Sequence, residues 1–116
     1  MLPENAIALD ARLSAIRDLA GSCARFADIG ADHGRLGAHM LLHGLCARAQ
    51  LADISAASLI KARRLIYGLG LTDRVDFCVG DGAQALKERP DVAVIAGMGG
   101  QTIAGIVERG RDILSG

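Results

Sequence analysis

Apolar residues along this chain alternate between helical and strand periods. Leu9, Leu13, Ile16 and Leu19 recur at helical spacing behind Asp10, and Gly21 offers a stop. Arg25 to Ile29 reads as a short strand that breaks at Gly30, and Arg35 to His43 as a second helix closing at Gly44. Ala47 to Ile54 contains the next strand, which ends at Asp53. Ser55 is placed to cap the longest helix, where Leu59, Ala62, Ile66 and Leu69 share one face. Lys61, Arg63 and Arg64 lie outside that face or toward its C-terminal half, and Gly68 and Gly70 end the helix. Val75 to Val79 alternates apolar residues with Asp76 and Cys78, as a half-covered strand does. Asp91 to Ala96 is a continuous apolar run, the pattern of a parallel strand buried on both faces. A last helix is expected from about Gln101 to Glu108.

A helix followed by four strand–helix steps predicts an α/β fold, a parallel sheet with helices on both faces. In such sheets the ligand lies beyond the carboxyl ends of the strands, where the strand order reverses. The chain has 116 residues, the length expected of one domain spanning 1–116 rather than of two. Hydrophobic residues make up 51%, enough for a core and incompatible with disorder. Thirteen basic residues balance thirteen acidic ones, so no global positive field draws the chain to nucleic acid. Aromatics are 3%, which argues against a stacking platform for single strands. Cys23, Cys46 and Cys78 are far apart in sequence and form no C-x-x-C pair, the pattern of free thiols in a reducing compartment. The N-terminus lacks a basic segment followed by an apolar run, and no apolar stretch approaches membrane-span length. The expected location is the cytoplasm, away from any membrane.

The strand ends carry the chemistry. The first runs Asp28-Ile29-Gly30-Ala31-Asp32-His33-Gly34. A glycine between strand and helix lets backbone approach a ligand, and helix N-terminal amides attract negative charge. The spacing is not the dinucleotide fingerprint, because Asp32 and Arg35 stand where its second and third glycines belong. A carboxylate there repels a pyrophosphate and suits a cationic ligand. Asp53 ends the second strand, twenty-three residues after Gly30, where an acid can accept hydrogen bonds from ribose hydroxyls. The third ends in Gly80-Asp81-Gly82, whose acid could receive an adenine amino group. The fourth ends in Gly97-Met98-Gly99-Gly100, where glycine backbone and a flexible thioether can lie against a flat ligand. Each signal alone also fits a plain turn or a helix cap. Four at successive strand ends describe a pocket for an adenosine-bearing ligand that is not a pyrophosphate.

Asp28 to Gly34, together with Val94-Ile95-Ala96-Gly97-Met98-Gly99-Gly100, resembles the bacterial tRNA (adenine-22-N1) methyltransferase family, TrmK. Leu9-Asp10-Ala11-Arg12-Leu13 is similar to that family's Leu-Ser-x-Arg-Leu opening, and the likeness runs from about Leu9 to Gly110. The Asp-Ile-Gly motif is common to many methyltransferases; the Ile-Ala-Gly-Met-Gly-Gly stretch is much more particular. The resemblance implies a Rossmann-like class I fold that uses S-adenosylmethionine and acts on tRNA. It implies that Asp28, Gly30 and Ala31 line the methionine part of the cofactor, with Arg12 pairing its carboxylate. Asp53 with Ile54 would hold the ribose side, and Gly80, Asp81 and Gly82 the adenine. Ala96, Gly97, Met98 and Gly99 would border the meeting place of methyl donor and base. Family members often carry Glu at the Asp53 position and Asn at Asp81, and Asp can accept the same hydrogen bonds.

Methyl transfer needs the nucleophile in line with the methyl group, water excluded and charge compensated. Adenine N1 lies on the Watson–Crick edge, so the base must leave any pair before it reacts. Asp32 is the candidate carboxylate beside the developing ring charge, with a helix cap as its other reading, and His33 either orients substrate or simply starts a helix. His39 and His43 share a helix face, but Met40 replaces the glutamate of a zinc motif and no third ligand is evident, so no metal is expected. Arg63 and Arg64 read as a solvated face or as phosphate contacts. The Asn/Asp-Pro-Pro-aromatic device of many amino-methylating enzymes is absent, leaving Phe26, Phe77 and Tyr67 as the available aromatics, the two phenylalanines on strands expected in the core.

Class I methyltransferase folds are usually longer, which predicts the N-terminal part of a larger enzyme, truncated after the fourth strand and its helix. A strand order 3-2-1-4 would leave the Val92 to Ile95 strand as an exposed edge, a possible homodimer contact. The expectation is a chain that supplies the cofactor half-site and methylates tRNA poorly by itself. The alternatives are a non-catalytic module for an adenosine metabolite or for assembly, and an NAD-dependent oxidoreductase module, which Asp32 disfavours.

Overall fold

A computed structural model describes residue 9 and residues 11–31, 33–96 and 102–106. Its elements are α1 (Ala11–Ala20), β1 (Arg25–Ile29), α2 (Arg35–Leu42), β2 (Arg48–Asp53), α3 (Ala56–Gly68), β3 (Val75–Val79), β4 (Val92–Ala96) and β5 (Thr102–Ile106). Short 3-10 turns cover Thr72–Arg74 and Gly82–Ala85. The sheet order is β3-β2-β1-β4-β5, with the first four strands parallel. This is the parallel α/β sheet that the alternating pattern predicts, in the Rossmann-like arrangement that the family resemblance implies.

Strand alternation sorts the side chains onto two faces. Phe26, Ala49, Leu51, Val75, Val92 and Val94 form one cluster with Ile16 and Ala20 of α1, Leu36 and Met40 of α2, and Leu59, Ala62 and Ile66 of α3. Ala27, Ile29, Ala52, Cys78 and Ala93 occupy the other face, against Ala85 and Leu86. Helices on both faces were expected. Among the described residues the three α-helices cover one face, and the segment between β3 and β4 covers part of the other. The small side chains of Ala27, Ala52 and Ala93 let that irregular segment lie close to the sheet.

Three expectations change in detail. Leu19 is 71% exposed, and Ala20 at 8% takes its place in the core. At about 100° per residue, Leu9, Leu13, Ile16 and Ala20 form one narrow stripe, and Leu19 sits roughly 80° away. Residues 102–106, expected in a helix, form β5, antiparallel to β4 from Val92↔Ile106 to Ala96↔Thr102. Thr102, Ile103 and Ile106 are β-branched, and Gly105 weakens a helix there. Consequently β4 is not an edge. Its open backbone groups are satisfied within the chain, which removes the exposed-edge contact on which a homodimer was expected.

Cys23, Cys46 and Cys78 are free thiols, the last two buried. Burial, with the Asp91 charge adding to it, pushes the Cys23 thiol up to about 11. Burial first, and Cys23 next, push Cys46 up to about 12, with Arg74 opposing. Above the ordinary thiol value of 9.0 the unfolded chain therefore releases protons that the native chain keeps. The contribution of these thiols to stability is expected to be constant below that pH and to fall as pH rises from there through about 11 and about 12. Urea midpoints at pH 8 and pH 10 check this; a higher midpoint at pH 10 would contradict it.

Candidate functional site

The four parallel strands bring their carboxyl ends to one rim, stitched together by backbone. Gly30 and Ala31 donate their N–H groups to Ala52 O at 2.7 and 2.9 Å, and Gly80 N–H donates to Asp53 O at 3.0 Å. Ile29 pairs with both Ala52 and Ile95, so Ala96 follows beside Gly30. With strands ~4.8 Å apart, the ends of β3, β2, β1 and β4 span roughly 15 Å, the size of a nucleoside with a short tail. Gly30 sits at φ 80, a left-handed conformation natural to glycine, and this turns the chain off the sheet.

Asp53 is half-buried at the β2 end, and its Oδ1 accepts the Ser55 N–H at 2.8 Å. Ser55 Oγ in turn accepts the Ser58 N–H at 3.2 Å, the expected cap of α3. These nested caps fix the direction of the Asp53 carboxylate. Ile54 beside it is 70% exposed and Val79 at the β3 end is 57% exposed, so two aliphatic side chains stand in water next to the two acids of the rim. Val79 was not singled out from the sequence, because strand alternation does not say which residue overhangs the end of a sheet. Asp81 is exposed just past Gly80. Gly82 opens the 3-10 turn that follows.

Asp28 is 4% exposed and lies on the helix side of β1. Ala31 is 7% exposed in the turn, where Gly34 N–H donates to its carbonyl at 2.9 Å. His33 is exposed in the same turn, at the entry to α2. Arg12 belongs to the first turn of α1; because the end of α1 leads directly into the start of β1, that turn lies at the rim end. Asp32, Gly97, Met98 and Gly99 lie outside the described residues. The structure therefore gathers Asp28, Gly30, Ala31, His33, Asp53, Ile54, Gly80, Asp81, Gly82 and the backbone of Ala96 at one end of the sheet.

His39 and His43 belong elsewhere. Their rings stack at 4.2 Å, and Arg17 Nη1 lies 3.2 Å from His39 Nε2. A guanidinium only donates, so Nε2 is the acceptor and the contact ties α1 to α2. Among the described residues no group of three or more His, Cys, Asp or Glu side chains could hold a metal ion. No helix among them is long and apolar enough to cross a membrane.

A family model described as a methyltransferase domain matches residues 9–116. The chain belongs to the methyltransferase domain family. Over 113 residues this methyltransferase domain is 34% identical to the tRNA (adenine(22)-N(1))-methyltransferase of Bacillus subtilis (strain 168), a match covering 97% of the chain and 48% of that protein. It spans about half the length of that curated relative. Superposition on the crystal structure of the B. subtilis tRNA methyltransferase TrmK gives a TM-score of 0.74 at 30% identity, over 80% of this chain and 40% of that one. For the M. capricolum TrmK structure in complex with S-adenosyl-homocysteine the TM-score is 0.65 at 26% identity, over 70% and 36% of the two chains.

Proposed function

We propose that this methyltransferase domain binds S-adenosylmethionine at the rim and supplies the cofactor half-site of an enzyme that methylates N1 of adenine-22 in tRNA. The observation that carries the reading is the row of Gly30, Asp53 and Asp81 on adjacent strand ends, flanked by exposed Ile54 and Val79. The donor set fits the cofactor. Carboxylates at Asp53 and Asp81 can accept from ribose hydroxyls and an adenine amino group, and the two aliphatic side chains offer apolar walls to a flat base. The glycine turn at Gly30 leaves room for the amino-acid tail. The likeness to a TrmK that holds S-adenosyl-homocysteine supports the same assignment.

S-adenosylmethionine, when bound, supplies a methyl group on a positively charged sulfur. The work of this chain is to hold the donor in line, exclude water and compensate charge. Transfer of that methyl to the N1 lone pair of adenine would leave a neutral thioether and a positive charge on the ring, which this chain has to compensate. We assign Asp32 as the carboxylate beside that charge and acceptor of the proton the ring later loses, with His33 orienting the base. Arg12 pairs the cofactor carboxylate, and Gly97, Met98 and Gly99 border the reacting atoms in this reading. The tRNA partner finds further support on α3, where exposed Lys61, Arg63 and Arg64 occupy a helix with no acidic residue, the Arg63 guanidinium lying 4.4 Å over the Phe77 ring. Such a partner implies a cytoplasmic location.

Calorimetry of this chain with S-adenosyl-homocysteine and with NAD tests the reading. Saturable heat with the homocysteine nucleoside and none with NAD is expected. Heat with NAD alone would overturn it.

A further inference from the structure

Gln50 is a polar residue in the middle of the apolar strand β2, 2% exposed and on the sheet face away from the helices. Its amide is almost wholly committed to one short stretch of backbone. Oε1 accepts the Lys87 N–H at 2.7 Å and the Glu88 N–H at 3.2 Å, Nε2 donates to Glu88 O at 2.8 Å, and Cys78 Sγ lies 4.0 Å from Oε1. An amide buried this deeply is costly unless satisfied, and this one is satisfied by a loop.

That loop carries Asp81. It leaves the rim at Gly80, held by Asp53 O, and returns to the sheet at Asp91, whose N–H donates to Arg25 O at 2.9 Å. Between these points it has only the 3-10 turn of Gly82–Ala85 for regular structure. The turn folds back so tightly that a Cβ on Gly80 would meet Ala85 Cβ at 2.9 Å. Gly80 is thus in register with Ala85, Ala85 precedes the anchored Lys87 and Glu88, and Gln50 holds that anchor.

We infer that Gln50 is a positioning residue for cofactor recognition, fixing the turn that presents Asp81 by clamping the backbone of Lys87 and Glu88 to β2. The inference rests on the proposed cofactor site. It goes beyond it by assigning the orientation of the adenine-side acid to a buried amide beneath the loop, away from the rim.

The test uses the whole chain and Q50M, close to glutamine in size but unable to hydrogen-bond. Loosening of the turn is expected to weaken S-adenosyl-homocysteine binding roughly tenfold in the folded variant. In a double-mutant cycle, Q50M added to D81N is expected to cost little more than D81N alone, because both act through one carboxylate. A merely structural role predicts losses that multiply, and that result, or an unchanged affinity in Q50M, overturns the inference. Amide exchange supplies a readout without ligand: Lys87 and Glu88 should lose protection in Q50M while β1 keeps its own, and retained protection counts against the clamp. If Q50M does not fold, Q50N serves instead, a neutral amide one methylene too short to span to Lys87 and Glu88, with a similar affinity loss expected. A wild-type chain that takes no S-adenosyl-homocysteine would instead sink the cofactor assignment, and with it the role of Gln50 in recognition.

Discussion

Alanine at Gly34 is expected to cost the fold about 2–5 kcal/mol, the sum of two penalties. Gly34 sits at φ 77, where a Cβ is strained by about 1–2 kcal/mol. An added Cβ would also lie 2.9 Å from Ala62 Cβ, 3.2 Å from Leu51 Cδ1 and 3.4 Å from the Ala62 Cα. Ala62 is 0% exposed in the middle of α3 and cannot swing aside, so overpacking adds about 1–3 kcal/mol. Gly21 separates the two penalties. It has φ 64 but nothing within 4 Å of a Cβ, so Gly21→Ala should show the backbone strain alone. Urea denaturation of both variants measures the difference; equal losses would refute the close approach of α2's entry to α3.

Asp53→Ala should reduce affinity for S-adenosyl-homocysteine by about 10- to 100-fold. A hydrogen bond to a charged group contributes about 1.5–3 kcal/mol, and each 1.4 kcal/mol is a factor of ten. Part of the loss is local, because Asp53 Oδ1 also holds the Ser55 N–H at the entry to α3. Asp53→Asn keeps an acceptor for that N–H while losing the second carboxylate oxygen and the charge. It should therefore retain the melting temperature of the parent and still bind more weakly. Calorimetry beside a thermal melt reads both quantities. Undiminished affinity in Asp53→Ala would remove Asp53 from the ribose role.

Much of the site is legible in the sequence because it is built from local chemistry. Gly30 ends a strand and opens a turn, Asp53 and Ser55 form consecutive caps, and Gly80-Asp81-Gly82 is a tight acidic turn; each signal lies within a few residues. Parallel strands then bring all these ends to one rim without further instruction. Gln50 shows only a faint local signal, one amide inside the run Ala49-Gln50-Leu51-Ala52. Its meaning depended on Lys87 and Glu88, nearly forty residues away.

By itself the sequence determined the alternation of elements from Leu9 to Ala96, the sheet-facing stripe of Leu59, Ala62 and Ile66 on α3, and the residue types at each strand end. Periodicity and capping are properties of a few successive residues, so they survive without knowledge of the fold. Only the tertiary structure decided that Ala20 rather than Leu19 is buried, that 102–106 pairs with β4 instead of coiling, and that the α-helices gather on one face of the sheet. These outcomes depend on which surfaces meet across long stretches of chain, where the gain from burying apolar area and completing a strand ladder exceeds the small preferences of single residues.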